Sequence, residues 1–196
     1  MQEIRGPNPG PALAILVGLA AFALGTNLVT RPELVLPLTF ESMFLALLTF
    51  GVVLGERDPE ARSWLLRLVV LAIGVRFGAM VAVHYFFPAN FFALDSIAYE
   101  RIGAAIGTYW KGIGPKPTIP GNPLLPTYYH VNAVFYYVLG DSAMGSVVLN
   151  MFAGVWTIIL TFKLGRELLG KEVGKTAALL TAFFPSLVLW SVLNIR

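Results

Sequence analysis

Cysteine is missing from this chain of 196 residues, and histidine occurs only twice, at His84 and His130. The first absence excludes a disulfide framework and any thiolate metal site. The two histidines lie far apart, with no ligand spacing between them. Charge is scarce as well. Asp, Glu, Lys and Arg make up 13% of the residues, against roughly a quarter in soluble domains. No basic tract of the kind that binds nucleic acid is present, nor any solenoid-length repeat or low-complexity segment. What remains is apolar: 57% of the residues are hydrophobic and the mean hydropathy is +0.73. Such a chain cannot cover its surface with polar groups, so it reads as an integral membrane protein.

Five runs are long enough to span a bilayer, which takes about 20 residues. They are 11–29, 33–55, 64–87, 143–163 and 173–193. The first has only Arg5 ahead of it and no small-residue cleavage site after it, so it reads as a retained helix. The expectation is an all-α polytopic protein. Arg57 and Arg62 fall between the second and third runs, with Arg67 just inside the third. Lys163, Arg166, Lys171 and Lys175 fall between the fourth and fifth. Short loops rich in Lys and Arg face the cytoplasm. The N-terminus is then cytoplasmic and the long loop 88–142 extracytoplasmic. The end "LNIR" would lie at the outer membrane face, as if the chain were the first part of something longer.

That outer loop has a pattern of its own. In "FFALDSIAYERIGAAIGTYW" (91–110), Tyr99, Ile102, Ile106 and Tyr109 recur at helical steps, with Glu100, Arg101, Thr108 and Lys111 on other faces. Asp95 stands where a helix N-cap is expected. An acid held there can also accept a proton from a hydroxyl or ligate a divalent cation such as Mg²⁺ or Mn²⁺. The stretch "KGIGPKPTIPGNPLLP" (111–126) interrupts regular structure. A second short segment, "TYYHVNAVFYYVLG" (127–140), places Leu124, Tyr128, Val131, Phe135 and Val138 on one face. Both segments are expected to lie in the membrane interface. Gly140, Asp141 and Ser142 then end the second one and cap the next span.

Two charges fall inside the predicted spans, Glu41 and Arg76. Such residues usually face protein or water and find a partner. A hairpin turning near residues 56–63 brings them to within about 3 Å in depth, so an ion pair is expected. Gly74 and Gly78 flank Arg76 in a pattern that lets another helix approach. Arg76 can alternatively face a lipid phosphate. His84 reads as an interfacial side chain. His130, Asn132 and Tyr128, Tyr129, Tyr136 and Tyr137 either line an acceptor groove or form an aromatic belt. Lys111 and Lys116 either meet a donor phosphate or stay solvated. Pro185 is expected to kink the last span.

"LDSIAYERIGAAIGTYW" resembles the first outer loop of the GT-C glycosyltransferases, polytopic enzymes that include protein O-mannosyltransferases and lipid A aminoarabinose transferases. Asp95 and Tyr99 fit that loop's pattern, and Ser96 stands where many members have Glu. The stretch from "GNPLLPTYYHVNAVFYYVLGDS" through "FFPSLVLWS" to Arg196 is similar to the family's continuation, and "VVLAIGVRFGAMV" to its opening span. The resemblance covers residues 64–196. Residues 1–63, with two spans and a cytoplasmic loop, look like an N-terminal addition. The resemblance implies transfer of a sugar from a polyprenyl-phosphate lipid donor to an acceptor at the outer face. It implies Asp95 as catalytic base or metal ligand, with Tyr99, Arg76, Lys111 and His130 toward the substrates. The rivals are a transporter or flippase, which needs discontinuous spans or polar sites at mid-membrane, and a non-catalytic membrane scaffold.

Overall fold

A computed structural model of the chain describes residues 35–87, 91, 94–119, 126–140 and 144–193. The predicted span 11–29 lies outside the described residues, as do Leu124, Asp141 and Ser142. Among the described residues the structure is all helical: α1 (Val35–Leu54), α2 (Pro59–Phe86), α3 (Leu94–Trp110), α4 (Pro126–Leu139), α5 (Met144–Leu169), α6 (Lys171–Phe183) and α7 (Pro185–Ser191).

Three stretches are long and apolar enough to cross a membrane: Leu36–Leu54, Pro59–Val83 and Met144–Leu169. They correspond to the second, third and fourth predicted spans. Their outward faces are themselves apolar, with Phe40, Phe44 and Leu47 on α1, Leu71 on α2, and Leu160, Leu164 and Leu168 on α5 all exposed. Helices satisfy their backbone polar groups internally, which is what a lipid environment demands. This is the surface of a membrane protein.

The fifth predicted span is corrected. It is not one kinked helix but two, α6 and α7, bent by 59°. Proline has no N–H to donate to the carbonyl four residues back. It also pushes the preceding residue out of the helical region, and Phe184 is extended at φ −63°, ψ 118°. Pro185 therefore opens α7 rather than bending a continuous helix. Counted as one span, the pair brings the total among the described residues to four.

The core forms around α5. Val155, Ile158, Ile159 and Phe162 are buried against Val53 of α1, Leu65, Val69 and Ala72 of α2, and Ala178 and Ala182 of α6. α5 packs on α1 and on α2 more extensively than those two pack on each other. Thr49 ties α1 to α5 within this core. Its hydroxyl donates to the Leu45 carbonyl at 2.7 Å and accepts from the Trp156 indole at 2.8 Å. At the α5–α6 corner the backbones nearly touch. A Cβ on Gly174 would stand 2.7 Å from the Arg166 nitrogen and 2.8 Å from the Phe162 oxygen, so only glycine fits without displacing backbone.

The α1–α2 and α5–α6 corners lie at the same end of the bundle, joined by ion pairs. Glu56 meets Arg166 at 2.9 Å, and Lys171 meets Asp58 at 2.9 Å and Glu60 at 2.8 Å. Lys175 adds contacts to Glu60 and Glu172. Asp58 also caps α2. Its carboxylate accepts the N–H groups of Glu60 and Ala61, and Pro59 takes the first helical position.

At the other end, α3 and α4 pack side by side in the same direction. A Cβ on Gly103 would lie 2.6 Å from the Cβ of Asn132, and one on Gly107 would lie 2.9 Å from that of Tyr136. Both partners advance by four residues, so the helices are parallel. Residues 111–119, which leave α3, turn back along it, with Pro117 and Thr118 beside Ile97 and Ala105. Tyr99, Ile106, Tyr129 and Ala133 form the small core of this pair. Val83 from α2 and Leu189 and Leu193 from the end of α7 pack against it.

The predicted face of α3 holds except at its last member, with Ile102 also packed inward, and that of α4 is corrected. On α3, Tyr99 and Ile106 point inward, but Tyr109 is 43% exposed. On α4 the inward stripe is Tyr129, Asn132, Ala133 and Tyr136, while Val138 is 66% exposed. The glycines of α3 draw its backbone onto the Asn132 and Tyr136 side of α4. The more aliphatic face is thereby turned out.

Candidate functional site

The break between α6 and α7 frees backbone carbonyls that a continuous helix would use. Arg76 takes one of them. Its Nη1 donates to the Ala182 carbonyl at 3.0 Å and, at 3.5 Å, lies at the limit of bonding to the Ala72 carbonyl of its own helix. A cation at a helix C-terminus also meets the negative end of the helix dipole. Arg76 is 1% exposed. Gly154 of α5 makes the space: a Cβ there would stand 3.0 Å from the Arg76 Nε and 2.8 Å from the Ser191 Cβ. Pro185 and Gly154 therefore act on the same place, one by freeing the acceptor and the other by admitting the arginine.

The predicted Glu41–Arg76 ion pair is not formed. Both carboxylate oxygens of Glu41, and the Nε of Arg76, are buried without a hydrogen-bond partner among the described residues. Similar depth on two neighbouring helices sets height but not rotation about the helix axis. Arg76 is turned toward the freed carbonyl of Ala182, where a strong acceptor is offered. The close approach expected at Gly74 and Gly78 is also absent among the described residues. A Cβ at either would meet nothing within 4 Å. The tight helix contacts sit at Gly103, Gly107, Gly154, Gly165 and Gly174 instead.

Beyond Gly154, two polar side chains follow on α5 at steps of four residues toward its start, Asn150 and Ser146. Asn150 Nδ2 donates to the Tyr128 hydroxyl at 2.8 Å and to the Leu193 carbonyl at 3.0 Å. Ser146 donates to Asn132 Oδ1 at 2.6 Å, and Asn132 Nδ2 donates to the Tyr128 carbonyl at 3.1 Å. Asn132 is fully buried. Burial pushes the pKa of the Tyr128 hydroxyl up. This network staples the α3–α4 pair to the first two turns of α5 and to the residue after the α7 turn. Tyr128 and Asn132 are marked in the sequence, but their partners on α5, Ser146 and Asn150, stand among apolar neighbours. The signal that could have found them is the four-residue spacing of Ser146, Asn150 and Gly154 on an otherwise greasy helix.

The residues singled out in the outer loop are not gathered at one point. Asp95 is the second residue of α3 and so stands inside the helix rather than at its N-cap. An acid in the first turn still suits the positive end of the helix dipole. Tyr99 is 5% exposed, with its ring 5.1 Å from those of Tyr128 and Tyr129. That is a packing position. Lys111 donates to the Tyr136 carbonyl at 2.8 Å and so fastens the end of α3 to α4. His130 is exposed on α4, its ring 5.9 Å from that of Trp110. Arg76 lies inside the bundle. The side chain of His84 is outside the described set. Among the described residues no group of three or more His, Cys, Asp or Glu side chains could hold a metal.

Comparison with protein-family models, curated proteins and solved structures returns no match for this chain.

Proposed function

We propose that the protein is a membrane glycosyltransferase of the GT-C kind, moving a sugar from a polyprenyl-phosphate donor to an acceptor at the extracytoplasmic face. The observation that carries this reading is the position of α3. It packs with Val83, Leu189 and Leu193 at the ends of two apolar helical segments, and its first turn bears Asp95. A lipid-linked donor has its isoprenoid in the bilayer and its phosphate at the interface, so the catalytic acid must sit at the interface too. In the proposed step Asp95 accepts the acceptor's hydroxyl proton. The freed oxygen attacks the anomeric carbon, and the bond from that carbon to the phosphate oxygen breaks. Polyprenyl phosphate leaves with the electron pair.

The test is transfer from polyprenyl-phosphate sugars in proteoliposomes. Asp95→Asn is expected to lower the rate by about 10²–10⁴-fold, the usual worth of a general base. Wild-type activity in that variant would remove the proposal. A second reading is favoured by one specific observation, the discontinuous α6–α7 span ending on a buried arginine. Secondary transporters build their ion sites from such broken helices. Solute or lipid movement across the same proteoliposomes, without transfer and abolished by Arg76→Gln, would support that reading.

A further inference from the structure

Residues 111–119, which follow α3, return along its flank. Pro117 and Thr118 of this return face the side of α3 that points away from α4. Between them lies an open groove of about 590 Å³. Its floor is apolar, made by Ile97, Ala98, Ile102 and Ala105, and among the described residues Arg101 is the only charged one that lines it. Glu100, next in the chain, does not line the groove.

The groove also sits at a definable depth. Asn132 on α4 is bonded by Ser146, the third residue of α5, and Tyr128 by Asn150, the seventh. α4 therefore lies within about 10 Å of the start of that span, and α3 lies beside it. This is the level of lipid headgroups and the first part of the acyl chains.

We propose that the groove seats one anionic glycerophospholipid of the surrounding bilayer. The phosphate lies against the Arg101 guanidinium, whose planar fork matches phosphate oxygens. The start of an acyl chain runs along Ile97, Ala98, Ile102 and Ala105. A single cation above an apolar floor is complementary to a lipid with one negative headgroup. A zwitterionic lipid brings its own cation and gains less. This site does not depend on the transferase reading, because its test measures lipid binding and not transfer.

The experiment is native mass spectrometry of the purified full chain, delipidated in detergent and titrated with phosphatidylglycerol or phosphatidylcholine. One phosphatidylglycerol is expected to bind about tenfold more tightly than phosphatidylcholine, the worth of one charge-assisted contact. Arg101→Gln should abolish that preference. Ala105→Phe should fill the floor and weaken both lipids. Thermal melting of each variant checks that α3 is intact. An undiminished preference in Arg101→Gln would overturn the site. So would an equal loss from Arg57→Gln, which removes an exposed cation near the opposite end of the bundle, since that marks diffuse attraction.

Discussion

At one end of the bundle Glu56, Asp58 and Glu60 meet Arg166, Lys171 and Lys175. At the other, Tyr128, Asn132, Ser146 and Asn150 join α4 to α5 with no charge at all. The charged end is largely solvated, and Glu60 is 70% exposed at its side chain. Ion pairs in that setting contribute little and are screened by salt. The neutral end is buried, so each of its hydrogen bonds stands against the full desolvation of its partners. The two ends thus divide the work: ion pairs align helix corners in water, and neutral polar groups with close glycine contacts hold helices where water is scarce.

The largest expected effect is at the neutral end. Gly103→Ala would drive a methyl group into Asn132, and overpacking of this kind costs about 1–3 kcal/mol. Thermal melting in detergent should show the loss. Next comes the buried amide. Asn132→Leu strands the Ser146 hydroxyl and should cost about 2 kcal/mol, whereas adding Ser146→Ala should recover part of it. A double-mutant cycle with no coupling would show that the staple contributes nothing.

A smaller effect is expected from Glu56, the one buried acid of the charged end. The hydrogen bond from Arg166 holds its pKa below the ordinary 4.5. Its folded value is depressed, so the stability it adds is present above the unfolded value. That stability is lost as the pH falls through the lower, folded value. Melting followed from neutral to acid pH should show this fall, and Glu56→Gln should flatten it. The smallest effect is predicted for Lys171→Ala. Its loss should shrink further in high salt, whereas that of Gly103→Ala should not. Equal salt sensitivity at both ends would erase the distinction between them.

The elements themselves were legible in the sequence. Runs of apolar residues marked α1, α2 and α5, and a three-and-four spacing marked α3, because period and length follow from backbone geometry alone. Faces were less legible. The periodicity of α4 favoured its aliphatic side, yet Gly103 and Gly107 select the side carrying Asn132 and Tyr136. The value of a glycine there depends on which helix comes to meet it. Gly74 and Gly78 show the converse, the same small-residue spacing with no helix among the described residues against it.

Arg76 separates the two kinds of knowledge most clearly. Composition and hydropathy alone determine that this is a helical membrane protein, that an arginine lies within an apolar helix, and that Pro185 interrupts another. These depend on transfer free energies and on a missing N–H, which are properties of residues wherever they stand. Which partner Arg76 takes was decided only by tertiary structure. Glu41 was expected at the same depth, but Gly154 left room on one side of Arg76, and the break at Phe184 exposed the Ala182 carbonyl. Rotation about a helix axis is set by packing against neighbours, and no local pattern encodes it.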